Sequence, residues 1–461
     1  MINHKLRHLP LAAAAMVACS GAMAGYTSPD GNFSLSGFGT LGVSRTTTDE
    51  ALFLYPGQGG GSGRDVSLNP DTKIAVQGTY KFAPTLSATT QLMTKYDANG
   101  QYTPNLEWMF GKWQALPSVT LRAGRMGAPF FMVSDFRDVG FANTAVRPNL
   151  DVYGQVPFSS FEGLDASHQA SFGPVTLTST IWAGNAKSKY TSALLSGGLP
   201  ADPVELTLKK TVGLNFVAEL DNGLTLRAGH TQGKLSSASA SAAKVIAAAH
   251  GANLLSGSIN DTQEQEVVTA MTTQDSNASF SGLGLSYDQN DIVLSAEFTK
   301  RKSKTGYIAD TKGWYAMGGY RFGSLLPYVS VSRLTTVDPN VSISAGALGA
   351  YGVVYQQEAT VAAQNQTALS NLGTYAAGAY AGAQAILNTQ KQSQNTISGG
   401  VRWDVQSGLA LKAQFDHVNV PKSSNGLFLV ADPVKAVQGG NKFLGRAKDI
   451  NVLSVSVDFI F

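Results

Sequence analysis

Gly37-Phe38-Gly39-Thr40-Leu41-Gly42 has the GxGxxG spacing that lets a backbone wrap a pyrophosphate, and Gly57-Gln58-Gly59-Gly60-Gly61-Ser62-Gly63 has the glycine density of a phosphate cradle. Each chemistry needs more than glycine. The first requires a helix to begin inside the motif, with its N-terminal amides aimed at phosphate. Here a strand pattern runs straight through, so the glycines serve strand packing or a close contact between copies. The second lacks the Lys and Ser/Thr that complete a phosphate loop and reads as a flexible tip. His168, His230, His250 and His417 are scattered, with no i, i+4 pair, which argues against a metal site. Serines are plentiful, yet no GxSxG elbow presents one as a nucleophile. No catalytic set, metal or cofactor is expected.

The elements that carry the remaining polar residues repeat one pattern. Leu453, Val455, Val457, Phe459 and Phe461 share one parity, and Ser454, Ser456 and Asp458 share the other. A strict period of two is a strand signal. Hairpins of the same kind surround 83–85, 116–118, 172–174, 221–223, 288–291, 323–324 and 406–408, with the Gly, Asn, Asp and Pro chemistry of tight antiparallel turns. Seven hairpins, a first strand at 33–43 and a last at 453–461 make about sixteen strands, each of roughly 9–11 residues, long enough to cross a bilayer when tilted. Short turns alternate with long connections at 46–71, 97–104, 127–160, 184–209, 232–278, 301–312, 335–395 and 418–449. That asymmetry belongs to an all-β, transmembrane, antiparallel up-and-down barrel, with short periplasmic turns and long external loops. Hydrogen bonding is the cause: a sheet crosses lipid only when it closes and leaves no edge. The last strand is therefore expected to pair with the first. Trp108, Trp314, Trp403, Tyr80, Phe82, Tyr96, Tyr320 and Phe322 fall on the apolar parity near strand ends, where interfacial girdles form.

Residues 1–24 carry Lys5 and Arg7, an apolar run from Leu9 to Ala18 and the small-residue site Ala22-Met23-Ala24, the pattern of a cleaved secretory signal. Met16-Val17-Ala18-Cys19 is a competing lipoprotein-type box, and both readings export the chain. Cys19 is the only cysteine, so no disulfide framework is available. Residues 25–461 read as one barrel domain. Without Lys5 and Arg7 the formal charge falls from +3 to +1, against a nucleic-acid partner. The most apolar mature segment, Leu372 to Leu387, is interrupted by Thr374 and Gln384 and falls short of a spanning helix. Residues 237–256 and 359–388 have helix-forming composition.

The closing strand ending in Phe461, the eightfold hairpin rhythm and the stretch LRAGRMGAPFFMVSDFRD at 121–138 resemble the general, trimeric, sixteen-stranded porins of Gram-negative outer membranes over nearly the whole mature chain. The resemblance implies that Phe461 is read by the outer-membrane assembly machinery, that the outer face meets lipid and lipopolysaccharide, and that the connection after strand five, 127–160, folds into the lumen as a constriction. That loop would carry Asp135, Asp138 and Asp151 with Arg137 and Arg147. Lys73, Lys95, Glu107, Arg122 and Arg125 would come from the wall. The acidic, glycine-containing tip of better-known members is not recognisable here.

Carboxylates facing a basic cluster across a narrow pore set up a transverse field that orients polar solutes and tunes ion preference. Arg227, Arg321, Arg402 and Lys412 further round the wall nearly balance Glu219, Glu297, Asp404 and Asp416. The expected function is passive diffusion of small hydrophilic solutes and ions. The alternative is a barrel with a surface binding or adhesion role, its mouth plugged by 232–278 and 335–395.

Overall fold

The computed structural model describes residues 25–191, 203–304, 306, 308–389, 391–430, 443 and 445–461. The expected signal at 1–24, with Cys19, lies outside them. Among the described residues there are sixteen long strands. They are β1 (Phe33–Thr46), β2 (Lys73–Ala83), β3 (Leu86–Tyr96), β4 (Tyr102–Leu116), β5 (Val119–Gly127), β6 (Ser160–Phe172), β7 (Val175–Tyr190) and β8 (Val204–Leu220). The second half is β9 (Leu224–Ala238), β10 (Ser276–Gln289), β11 (Ile292–Ser303), β12 (Asp310–Tyr320), β13 (Leu325–Asp338), β14 (Gln394–Gln406), β15 (Leu409–Val420) and β16 (Lys448–Ile460). Each pairs antiparallel with its sequence neighbour, and β16 pairs back onto β1 from Val452↔Thr46 to Ile460↔Phe38. The ring closes, so the backbone has no edge to satisfy in lipid.

Phe461 continues the seam. Its N–H donates to Gly37 O at 2.9 Å, and Gly37 N–H donates to Phe461 O at 2.7 Å. A Cβ at Gly37 or Gly39 would collide with the rings of Phe461 and Phe459. The GxG of the N-terminal strand thus makes room for aromatic rings at the seam. Alternation sorts the last strand as expected: Leu453 and Val455 are exposed on the outside, while Ser454, Ser456 and Asp458 are shut away inside.

The seven turns at one end span two to four residues. Asn290 and Asp291 both sit at positive φ, 52° and 64°. That primed turn matches the right-handed strand twist. Beside the turns, Tyr80 packs on Phe82 and Tyr320 on Phe322, each pair with centroids 4.9 Å apart and facing outward. Strands on the loop side run longer than the sequence suggests, to 16 residues in β7 and 17 in β8. Trp108 departs from the outer girdle. Gln91 pairs with Trp108 and the next residue, Leu92, pairs with Leu106, so Glu107 is the extra residue of a bulge. The inserted residue shifts the parity, and Trp108 faces inward beside Gly127.

Two loop assemblies cover the mouth. Ala51–Phe53 of the first loop pairs with Phe428–Val430 of the last and packs on Val418, Val420, Ile450 and Val452. The short helix α1 (Leu150–Tyr153) belongs to the loop after β5. Above the barrel stand α2 (Ala240–Leu255) and α3 (Asp261–Met271) from one loop, and α4 (Ala345–Gln364) and α5 (Asn371–Thr389) from another. Serine or asparagine caps start the first three: Ser239 accepts from Ala242 N, Asn260 from Gln263 N and Ser344 from Ala347 N. Small residues let α2 and α5 approach closely, with Ala248, Ala249 and Ala252 buried alongside Ala376, Ala379 and Ala383. Glu266 of α3 accepts from Ser344 N at 2.6 Å, joining the two loops.

Candidate functional site

The connection between β5 and β6, residues 128–159, enters the lumen and is pinned there by both its side chains and its backbone. It starts on an aromatic anchor. Phe130 meets Trp182 and Phe280 edge-on at 5.8 and 5.7 Å, and Phe131 stacks on Tyr153 at 4.5 Å. Such pairs each contribute about 0.5–1.5 kcal/mol beyond burial of their area. The segment then turns through Gly140–Ala142 and reaches α1, where Asn149 Oδ1 accepts from Asp151 N at 3.0 Å.

Backbone carbonyls of an irregular loop need donors when buried, and wall cations supply them. Lys412 Nζ donates to Gly140 O, Asn143 O and Ala145 O at 2.7, 2.6 and 3.1 Å. Arg402 donates to Phe141 O and Asn143 O at 2.6 and 3.0 Å. Arg227 and Arg301 donate to Pro129 O and Gln155 O, each at 2.5 Å. Lys412, Arg402 and Arg227 therefore act as struts for the loop, in addition to their place in the wall charge balance. Glu297 accepts from Met132 N at 2.9 Å, from Tyr315 Oη at 3.2 Å and from Tyr153 Oη.

Two neighbouring charged clusters hold the loop. Asp138 lies 3.2 Å from Lys95 Nζ, 3.6 Å from Lys73 Nζ and 3.7 Å from Arg137 Nε. Burial opposes ionisation of Asp138, but the charges of Lys95, Lys73 and Arg137 outweigh it and hold the carboxyl well below the usual range. Next to it, Arg147 makes a forked pair with Asp71 at 2.8 and 2.6 Å, meets Asp416 at 3.3 Å and donates to Ser454 Oγ at 2.6 Å. Its guanidinium lies over the Phe53 ring at 4.9 Å. Asp151 is 1 % exposed. It accepts from Ser332 Oγ and Gln394 Nε2, both at 2.6 Å. Burial dominates there and pushes its carboxyl up to about 6, against the hydrogen bonds of Ser332 and Gln394.

The structure thus brings together Lys73, Lys95, Arg137 and Asp138 in one cluster, seats Arg147 beside it on Asp71, and holds Asp151 against Ser332 and Gln394 further round the wall. Arg122 faces the lumen, forked onto Asp165 of β6 with contacts at 3.1, 3.0 and 2.5 Å and lying over Phe110 at 5.5 Å. Asp135 lines the cavity under the loop, and burial raises its carboxyl above the usual value. Two residues do not join. Arg125 falls on the outward parity of β5 and meets Glu162 at 3.4 Å, because the pleat places 122 and 125 on opposite faces. Glu107 sits buried at the bulge, and no ion pair ties it to the loop among the described residues. Sequence reasoning passed over Asp71 and Asp165. Asp165 was findable, since it alternates with the outward Leu164.

The loop divides two spaces. Toward the turns lies a cavity of about 570 Å³ whose charged lining residues include Asp135, Glu219, Arg227, Asp288 and Asp416. Toward the mouth lies a smaller one of about 160 Å³, lined by Leu206, Leu208, Leu235, Phe280 and Ile308.

These features define a closed sixteen-stranded antiparallel β-barrel of the outer-membrane type. OmpF of Salmonella typhi, solved with daunomycin, superposes with a TM-score of 0.51 at 12% identity over 95% of this chain and 100% of that one. An anion-selective porin from Comamonas acidovorans gives 0.50 at 11% identity over 93% and 99%. The fold is that of the sixteen-stranded outer-membrane porins. No protein-family model matches the chain, and no curated protein sequence does.

Proposed function

We propose that the chain is an outer-membrane channel through which small hydrophilic solutes and ions cross by passive diffusion, as a homotrimer and without cofactor or catalysis. The observation that carries this reading is the loop 128–159 held inside a closed ring by wall side chains, with the Asp138 and Arg147 clusters side by side along it. Opposed charges on a narrowed passage filter by size and by field orientation. In this reading the chain is exported through its 1–24 signal, assembled through the Phe461 seam and surrounded by lipid and lipopolysaccharide.

A second reading has its own support. The apolar core runs without a break from Phe130, Trp182 and Phe280 through Leu206, Leu208 and Leu235 to the cap helices, which favours a mouth closed over a surface task such as adhesion. Liposome swelling with sugars, organic acids and amino acids, alongside planar-bilayer recording, separates the two. Swelling together with current steps that close in threes supports the channel; no conductance beyond leak selects the plugged barrel.

A further inference from the structure

The outer face of the barrel gathers its unpaired cations on one arc. Between β8 and β9 Lys209 stands directly opposite Lys234, and between β11 and β12 Lys300 stands directly opposite Lys312. Like charges in directly opposed positions repel. No carboxylate lies within ion-pair distance of any of the four among the described residues: Lys234 reaches Asn277 Oδ1 at 2.6 Å, and Glu205 on the same face is taken by Lys189 at 3.4 Å. Asp310, at the end of β12, turns its carboxylate to Ser303 N and Asn340 Nδ2 at 2.6 and 2.9 Å. The exposed Lys187 of β7, Lys302 of β11 and Arg333 of β13 extend the row.

The aromatics beside these cations fix their depth. The outward pair next to Lys300 and Lys312 on the turn side is Phe298 and Trp314, and Arg333 stands opposite Trp314. Phe298 and Trp314 are exposed on the outside and end an apolar band that continues through Ala296, Ala316 and Leu294. Two residues of strand rise about 7 Å, so the cations lie just beyond the girdle, on the loop side, level with lipid headgroups. Outward positions beside the turns carry Tyr80, Phe82, Tyr320 and Phe322 and, among the described strand residues, no Lys or Arg.

The other arc of the loop-side rim is balanced. Arg125 of β5 pairs with Glu162 of β6, and Arg45 of β1 is offset by Asp449 of β16. A second copy of the chain therefore offers no acidic face to the cationic arc, whereas the phosphates of an outer-leaflet lipid do. Anionic headgroups attract Lys and Arg held at their level, and phosphate oxygens accept charge-assisted hydrogen bonds from both.

We infer that the loop-side outer rim from β8 to β13 is a docking surface for lipid A, the phosphorylated glycolipid anchor of lipopolysaccharide. One phosphate meets Lys300, Lys312 and Arg333, and the other meets Lys209 and Lys234. Between them the outward Asn277 and Ser279 of β10 face the sugar. The assignment rests on the outer-membrane reading and names the lipid-facing arc and the group it holds, but not on conduction.

The test uses the full-length protein in dodecyl maltoside, mixed with lipid A or with lipid A stripped of both phosphates, and counts retained lipid by native mass spectrometry after gel filtration. The wild type should retain lipid A, lose it as ionic strength rises, and retain the stripped form about tenfold less or worse. Lys300→Gln with Lys312→Gln and Arg333→Gln should lower retention of lipid A by a similar factor, with the folded barrel retained by heat-modifiable gel mobility. Arg45→Gln, on the balanced arc, should leave retention unchanged. Undiminished retention in the triple variant, equal retention of the stripped lipid, or displacement of lipid A by inorganic phosphate at equal phosphate concentration overturns the assignment. A wild type that holds lipid A but passes no current supports the docking surface while removing the channel reading.

Discussion

Arg147 Nη2 lies 2.6 Å from Asp71 Oδ2 with both side chains 2 % exposed, so a residue of the lumen loop and one that precedes β2 by two positions form a buried ion pair. Desolvating two charges is costly, and the fork, Asp416 and Ser454 together offset that cost. Asp71→Asn should leave the guanidinium under-compensated and lower stability by about 3–5 kcal/mol, read as a lower urea midpoint in detergent. Arg147→Met combined with Asp71→Leu should recover part of it, because that pair goes together while Asp416 loses its cation. Equal loss in the single and double variants would mean that the pair does not hold the loop.

Asp151 gives the loop a pH dependence. Its carboxyl is raised to about 6 by burial, so the contribution of the neutral form is complete below the ordinary value near 3.9 and is lost as pH rises through about 6, on the order of 3 kcal/mol in all. The urea midpoint should fall between pH 5 and 7, and Asp151→Asn should flatten that fall. Asp138 has the opposite sign: its contribution is present above the ordinary carboxylate value and is lost only at strongly acidic pH. A midpoint that is level across pH 5–7 in the wild type would contradict the burial of Asp151.

Neutralising Asp138 alone should turn the Lys73, Lys95 and Arg137 cluster into uncompensated positive charge. Reversal potentials in a potassium chloride gradient should then move toward chloride in Asp138→Asn. An unmoved potential would place the cluster outside the ion path.

The face assignment can be tested with one substitution at two sites. Val455→Lys, on the lipid face of β16, should cost about 2–4 kcal/mol near mid-depth. Thr178→Lys, on the lumen parity of β7 three residues before the outward Ile181, should cost far less. Similar losses in folded fraction would mean that the faces are misassigned.

How much of this was legible in the sequence depends on the range of the interaction concerned. Strands, turns and the Phe461 seam follow from a local period of two and from turn chemistry, both written within a few residues. Trp108 was misplaced because one bulge at Glu107 inverts parity, and a bulge leaves no clear mark in an alternating pattern. Arg122 and Arg125 stand close in sequence, but the pleat puts them on opposite faces of the wall. The struts from Lys412 and Arg402 join residues about 260 positions apart through backbone carbonyls, which carry no side-chain signature. The Ala-rich composition of 237–256 and 359–388 marked helices there, but the packing of α2 on α5 depends on which small residues face each other.

The most direct measurement is single-channel conductance with the loop pinned and released. Arg147→Ser with Lys412→Ser removes the side chains that fasten 128–159 to the far wall. The wild type should give small, ion-selective steps, and the variant should give larger and less selective ones. Identical conductance in both, or silence in both, would contradict a lumen whose flow is set by this loop.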